Sequence, residues 1–332
     1  MPAATGGGSA NPVVISVDPT SAGVCSITVG IVSLNGVGTC TLNADQAAAQ
    51  GFNAGHASQS FAVSKADQSI TFAQPGDTGF GGSDVALTAT ASSGLDVTLT
   101  SETPGVCSVV GTSVHPVSAG TCTITATQLG NDVFNAATPV SRSLSVAKAA
   151  QTITFAQPGN TVYGGADVAL TASASSGLAV TLTSETPGVC TVVGTSAHPV
   201  AAGTCTITAS QGGNGNYVAA TPVSRSLTVA KAPVTVTTKA TSSVLSLLTL
   251  RVTYTTTVKS AVTGLPAAGV PVTTKLNGGS AVTGCTAVTN ASGVATCTAG
   301  PIVIAILSPF TATAAESSNY LGGTATGLTP LL

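Results

Sequence analysis

Charged residues are scarce in this chain. Only 6% of its 332 residues are Asp, Glu, Lys or Arg, and the formal net charge is −2, whereas about a quarter of the residues in an ordinary globular domain are charged. Lysines and arginines occur singly, never in a basic run. Because nucleic acids and anionic membranes are bound through clusters of positive charge, we expect no nucleic-acid partner.

Long apolar runs are missing too. The longest, IVIAIL at 302–307, falls far short of the roughly 20 residues that a membrane helix needs, so we expect no membrane insertion. The start, MPAATGGGSANP, has neither the basic region nor the apolar stretch of a signal peptide. Since eight cysteines indicate an oxidising compartment, we expect a processed chain or a fragment of a secreted protein, extracellular or at the cell surface.

Helical patterning is nearly absent, and the Ala/Gln-rich ADQAAAQ at 44–50 is the only short helix candidate. Aromatic residues make up 3% of the chain, and there is no Trp. Apolar residues still reach 43%, and many residues are β-branched, which excludes a disordered composition. The composition indicates many short strands joined by turns rich in Gly, Pro, Asn and Ser.

The organisation follows from an internal repeat. KADQSITFAQPG starts at Lys65, KAAQTITFAQPG starts at Lys148, and Lys231 follows, with a spacing of 83 residues both times. The two full copies match at about four positions in five. We predict an incomplete module at 1–65, full repeats at 66–148 and 149–231, and a divergent module at 232–332. The first module lacks the counterpart of QSITFAQPGDTGFGGSDVALT, which is roughly two strands.

Each full repeat has the pattern of seven short strands. In the first full repeat they are SITFA, DVALTATA, LDVTLTS, VCSVV, SVHPV, TCTITATQ and SRSLSVA. Turn signals recur about every 8–12 residues, which is typical of an antiparallel β-sandwich. No crossover helix of a dozen residues fits between these strands, so we do not expect an all-parallel fold.

Three motifs carry a family resemblance: the opening ITF, the stretch ASSGL with TLTSETPGVC, and AGTCTITASQGGNGNY. Through them the repeats resemble the bacterial immunoglobulin-like (Ig-like) modules found in tandem in secreted and surface proteins. GLPAAGVPVTT, TNASGVATCT and ATAAESSNYLGGTATG make the last module similar to the Ig-like type of invasin-like proteins. The resemblance covers residues 14–332 and implies an all-β chain of tandem Ig-like sandwiches. It brings no shared catalytic residues.

The cysteines form one pair in each predicted module. The first three pairs are 15 residues apart and the last is 12 apart: Cys25/Cys40, Cys107/Cys122, Cys190/Cys205 and Cys285/Cys297. A zinc site needs four ligands, and one cysteine pair with one histidine falls short. His115 and His198 lie between the cysteines of the full repeats, but the first module keeps its pair with no histidine between. We therefore favour one disulfide per module over a metal site or a catalytic Cys/His pair.

The disulfides of the first three modules should join the strands that start near each cysteine, with one short strand between them. In the last module, CTAVTNASGVATC at 285–297 predicts a hairpin that turns at 290–293. Cys285 and Cys297 would then face each other across two neighbouring strands.

Other candidate sites are weak. The loops LGNDVFN at 129–135 and GGNGNYV at 212–218 contain one acidic residue and none, too few carboxylates for a calcium site. We expect Asp84 and Asp167 to cap loops, and His115 and His198 to be edge-strand residues. We expect no metal, no cofactor and no catalytic residue, hence no enzyme.

Aromatic residues recur at matching places beside turns, at Phe52, Phe134, Tyr217 and Tyr320. They are interpreted as corner residues that fill the core between the last two strands. The alternative is a platform for a ligand.

Three classes of function are compatible with these observations. The links between modules are short and contain no Gly, which predicts a stiff rod. A sandwich without its opening strands exposes a sheet edge. Either the chain is a fragment cut at this point, or a strand from elsewhere completes the module, the C-terminal TATGLTPLL of a neighbouring chain or the N-terminal tail of another copy. Self-association into a structural filament is the first function. An adhesin whose last module binds a protein or glycan, through IVIAILSPF and the loops beside Tyr320, is the second. Accessory modules of an enzyme are the third.

Overall fold

The computed structural model describes residues 1–246, 249–277, 284–303 and 309–329. Within these ranges the chain is built from β-strands and one 3₁₀ turn at Pro19–Ser21. None of its described helical segments is long and apolar enough to cross a membrane. The chain divides into two compact units, Met1–Ala149 and Ala150–Leu332. The division into four modules stays a prediction, and we keep its boundaries as names.

The first module forms a three-stranded sheet and a separate hairpin. Its strands are β1 (Val13–Val17), β2 (Cys25–Thr28), β3 (Ile31–Leu34), β4 (Gly38–Gln46) and β5 (Gly55–Val63). The sheet has the order β1-β4-β5, and β2 pairs with β3. All three strand pairs are antiparallel.

The first full repeat, 66–148, has nine strands. They are β6 (Ile70–Phe72), β7 (Thr78–Gly79), β8 (Val85–Ala86), β9 (Ala89–Ala91), β10 (Thr98–Ser101), β11 (Cys107–Val110), β12 (Ser113–Pro116), β13 (Gly120–Thr127) and β14 (Val140–Ala147). Three sheets result, with orders β10-β13-β14-β7, β11-β12-β8 and β6-β9. All pairs are antiparallel except β14 with β7. The seven predicted strands are present, with DVALTATA divided into β8 and β9 and the short β7 added.

The second full repeat, 149–231, has the same plan. Its strands are β15 (Ile153–Phe155), β16 (Thr161–Val162), β17 (Val168–Ala169), β18 (Ala172–Ala174), β19 (Thr181–Ser184), β20 (Cys190–Val193), β21 (Ser196–Pro199), β22 (Gly203–Ser210) and β23 (Val223–Ala230). The sheet orders are β16-β23-β22-β19, β17-β21-β20 and β15-β18.

The last module pairs long strands in two sheets. Its strands are β24 (Val234–Ser246), β25 (Thr249–Ser260), β26 (Pro271–Leu276), β27 (Gly284–Val288), β28 (Val294–Val303), β29 (Pro309–Ala314) and β30 (Gly323–Leu328). Their orders are β24-β25-β28 and β27-β26-β29-β30.

The core of each full repeat lies between its sheets. In 66–148 one cluster joins Ile70 and Phe72 of β6 to Ile124 of β13 and Leu144 of β14. In 149–231 the matching residues form a matching cluster. Alternate residues of β13 and β22 are buried while those between them are not, because successive side chains of a strand point to opposite faces. The chain is an all-β array of Ig-like sandwiches, as the sequence predicts.

The predicted helix at 44–50 is wrong. Residues 44–46 belong to β4 and pair with both β1 and β5, and residues 47–50 are not helical. Seven residues are too few for a helix that is stable by itself, so pairing in the sheet decides the conformation of this segment.

Replacing a core residue of one repeat tests whether each sandwich has its own core. Ile207 is 0% exposed, so Ile207→Ala should destabilise 149–231 by about 2–5 kcal/mol. Hydrogen exchange should speed up in 190–230 and stay unchanged in 107–147. Val193→Ala is the matched control, because Val193 is 62% exposed. Equal acceleration in both repeats would contradict separate cores.

Candidate functional site

A disulfide connects the two principal sheets of each module. The structure joins Cys25 to Cys40, Cys107 to Cys122, Cys190 to Cys205 and Cys285 to Cys297, with Cα–Cα distances of 5.6–5.8 Å. In 66–148 the bond runs from β11 to β13, which lie in different sheets. The cysteine sulfurs are thus part of the buried core. No free thiol is found in the described chain.

The hairpin predicted at 285–297 is wrong. The turn itself is present, since Gly293 N donates to Asn290 O over 2.8 Å. However, β27 pairs with β26 and β28 pairs with β25, so the two strands enter different sheets. Strand β28 pairs there with the 12-residue β25, and the Cys285–Cys297 bond links the sheets as in the other modules.

The first module leaves one face of its sheet open. We call this the open face, and it consists of Ile15, Leu42, Ala44 and Phe61. The register places Phe61 where Leu144 lies in the next module, because Cys40 pairs with Phe61 and Cys122 with Leu144. Phe61 is 41% exposed, whereas Leu144 is 2% exposed. Equivalent positions are therefore core in a full repeat and surface in the first module.

The matching face of each full repeat is covered by what we call the opening segment, residues 69–80 (SITFAQPGDTGF) and 152–163 (TITFAQPGNTVY). In the first full repeat, Ile70 and Phe72 are buried against β13 and β14. The segment is also held at the edge of β14. Gln74 Nε2 donates to Ser143 O (2.6 Å), Ser145 N donates to Asp77 Oδ1 (2.7 Å) and Phe80 N donates to Ala147 O (2.8 Å).

The second full repeat reproduces these three hydrogen bonds. Gln157 Nε2 donates to Ser226 O (2.6 Å) and Tyr163 N donates to Ala230 O (2.8 Å). Asn160 takes the place of Asp77, and its Oδ1 accepts from Thr228 N (2.8 Å). Both full repeats therefore cover this face in the same way, by burying Ile and Phe and by forming three hydrogen bonds to the edge of the strand.

The N-terminal tail partly covers the open face. Pro2, Ala3 and Ala4 enclose a cavity of about 340 Å³ with the open face. The tail is fixed further along, where Gly7 N donates to Gln46 Oε1 and Gln46 Nε2 donates to Asn11 O. Its first residues are small, so they leave space that Ile and Phe fill in the full repeats.

The other donor segment considered from the sequence is already paired. Strand β30 forms a regular antiparallel ladder with β29 of its own module. Residues 330–332, at the end of TATGLTPLL, lie outside the described residues. Most of IVIAILSPF does as well.

All three histidines are paired with aspartates, a feature that the sequence analysis missed. His56 Nδ1 lies 2.7 Å from Asp45 Oδ1, and the same distance separates His115 from Asp84 and His198 from Asp167. Asp84 and Asp167 therefore contact histidines rather than cap loops. The constant separation of 31 residues in both full repeats was a usable signal. About half of each side chain is exposed, and such surface pairs contribute little to stability.

The two candidate calcium loops are closed by their own hydrogen bonds. Asn131 Oδ1 accepts from the backbone N–H groups of Val133 and Phe134, and Asn214 Oδ1 accepts from those of Asn216 and Tyr217. In the described part of the chain, no three His, Cys, Asp or Glu side chains come together as metal ligands.

Tyr163 and Tyr320 form the wall of a cleft in the second unit. Their rings make an edge-to-face contact with centroids 5.4 Å apart. The cleft has a volume of about 410 Å³, and His198, Thr263 and Leu265 also line it. Burial, and then the neighbouring Tyr163, raise the pKa of Tyr320. Tyr320 thus packs at the margin of the core and also lines a cleft. It therefore fits both interpretations of the corner aromatics, as a residue that fills the core and as a platform for a ligand.

The other corner aromatics are less enclosed. Phe134 and Tyr217 are half-buried, and Phe52 is exposed. The backbones of Phe134 and Tyr320 each form a bridge with a link residue, Ala66 and Ala232 respectively. The corners at Phe134 and Tyr320 therefore hold the link residues Ala66 and Ala232 in place.

Comparison with known proteins gives a likeness of architecture only. No protein-family model matches the chain, and no curated protein matches it. A solved tetra-tandem repeat from the extending region of a large adhesion protein is 16% identical, with a TM-score of 0.39, covering 96% of this chain and 91% of that one. Immunoglobulin domains 1–5 of Sidekick-1 are 12% identical, with a TM-score of 0.34, covering 96% of this chain and 74% of that one. The fold class rests on the strands and sheets themselves.

Removing one disulfide tests its contribution to the sandwich. The double substitution Cys190→Ala with Cys205→Ala opens a 15-residue loop, which should cost about 3 kcal/mol in the chain-entropy model. We expect faster hydrogen exchange in 190–230 and no change in 107–147, whose disulfide is intact. Peptide mapping without reductant provides the control that the other three bonds are present. Unchanged exchange in 190–230 would contradict a stabilising role.

Proposed function

We propose that this chain is a non-enzymatic structural protein of the cell exterior, in which disulfide-linked sandwiches are the building units. A strand of a further chain completes the first module, so that chains join head-to-tail into a filament. The observation that supports this is the open face, where positions that are core in both full repeats meet solvent. Covering it would remove apolar surface from water and provide a neighbour for the edge of β5.

The composition fits the same role. Few charges and a net charge of −2 give little repulsion between chains, and low net charge promotes association. When two different surfaces join copies of a chain and the assembly does not close into a ring, further copies can be added without limit. An open face on each chain, together with a donor strand on its neighbour, would therefore build a linear assembly.

Analytical ultracentrifugation of the intact chain over a wide concentration range tests the proposal. We expect association that grows with concentration and is strongly reduced by Phe61→Asp, because a carboxylate on the open face opposes burial. Val193→Asp is the matched control, since it adds the same charge to an exposed valine of a full repeat. Electron microscopy should show filaments, and it also tests the predicted rod. A strict monomer at every concentration would contradict self-assembly.

The cleft of Tyr163 and Tyr320 favours a second function, adhesion through a glycan. Aromatic rings pack against the apolar faces of sugars, and the hydroxyl groups and His198 offer hydrogen bonds at the same place. The two full repeats differ at this position, since Tyr163 stands where the first has Phe80. The ligand would bind where the second full repeat meets the last module.

A glycan array with the intact chain tests adhesion. We expect binding that falls about tenfold in Tyr163→Phe, which removes one hydroxyl and restores the residue of the first full repeat. Tyr217→Phe is the matched control, because this tyrosine does not line the cleft. Absence of binding, or equal loss in both variants, would contradict a glycan site.

A further inference from the structure

We propose that the open face is an acceptor site for one kind of polypeptide segment, which has the pattern Ile-x-Phe-x-Gln-Pro-x-Asp/Asn and is not already paired in a repeat of its own. This inference rests on one part of the proposed function, the completion of the first module by a further strand, because it names that strand; it does not require that chains join into a filament. Its basis is that the chain contains two examples of the contact, one in each full repeat.

The apolar half of the recognition is set by two alternate residues. In 66–148, Ile70 and Phe72 are buried, and Thr71 between them is exposed. The second full repeat buries Ile153 and Phe155 in the same way. Both pairs pack on the residues that correspond to Leu42, Ala44 and Phe61. A segment with Ile and Phe two positions apart therefore fits the open face.

The polar half is set by the edge of β5. The three hydrogen bonds of the opening segment reach Ser143 O, Ser145 N and Ala147 O in the first full repeat. The register maps these onto Ser60 O, Ala62 N and Ser64 O. β5 has no strand neighbour other than β4 in the described structure. Gln four residues after Ile, and Asp or Asn seven after it, would bond to these groups.

The source of the segment follows from what is already occupied. Both opening segments of this chain are paired within their own repeats. If a second copy donated one, it would expose an equivalent face of its own, so the buried apolar surface would not increase. The N-terminal tail has neither Ile nor Phe in residues 1–12. A segment of this pattern that is not already paired gains the full contact.

A synthetic peptide, SITFAQPGDTGF, added to the intact disulfide-bonded chain tests this inference. By fluorescence anisotropy we expect saturable binding at one peptide per chain. The peptide with Ile70→Ser and Phe72→Ser should bind more than tenfold more weakly, and the peptide with Gln74→Ala should show a smaller loss. On the side of the chain, Phe61→Asp should weaken binding, whereas Val193→Asp should not.

Hydrogen exchange locates the bound peptide. We expect protection in 38–46 and 55–64 and none in 120–127 or 140–147, where the chain's own segment is in place. No saturable binding, equal binding of the Ser-substituted peptide, or protection in the full repeats would overturn the inference.

The peptide-binding test and the self-association test can give different outcomes, so the two proposals can fail independently. Peptide binding by a chain that stays monomeric supports the acceptor site and contradicts self-assembly. Association that depends on Phe61, in a chain that does not bind the peptide, supports the head-to-tail joint and contradicts the acceptor pattern.

Discussion

In every module a disulfide ties one sheet to the other, and the rest of the sandwich depends on this link. The chain has few aromatics and no Trp, so its cores consist largely of Val, Ala, Ile and Leu. Such side chains bury little area each, and small sandwiches have little apolar free energy to spare. A closed loop of 15 residues lowers the entropy of the unfolded chain by an amount worth about 3 kcal/mol. That is a substantial share of a typical net stability of about 5–15 kcal/mol.

The disulfide also explains how the first module can keep a folded half. Its bond joins β2 to β4 and fixes the hairpin over one end of the sheet, where Cys25 and Cys40 are buried. The other end depends on the opening segment, which no disulfide replaces. The hairpin therefore covers the sheet at Cys40 of β4, whereas the face beside it, from Phe61 of β5 to Leu42 and Ala44, stays open, and only this open face is suited to receive a partner.

The repeat made the fold accessible to sequence reasoning, because two nearly identical copies show which positions vary and which alternate. The strands and the cysteine pairs followed from this. The strand pairing at 285–297 could not be predicted in this way. A turn between two strands has the same local sequence whether the strands pair with each other or enter different sheets. The same holds for 44–50, where the neighbours β1 and β5 decide. The His115–Asp84 contact is long-range, and only the shared spacing in both repeats hints at it.

The incomplete module and the tyrosine cleft require different kinds of binding partner. An acceptor site needs a partner strand that arrives unpaired, because an opening segment already in its own repeat gains nothing by exchange. A cleft needs only a small ligand and is formed in the free chain. Tyr163 contributes to both kinds of contact, since its N–H completes the edge of β23 and its ring faces Tyr320. The last residue of an opening segment is thus structural through its backbone and variable through its side chain. The two repeats thus keep an aromatic ring packed against the core at this position, Phe80 or Tyr163, and differ only in the hydroxyl that the second one presents.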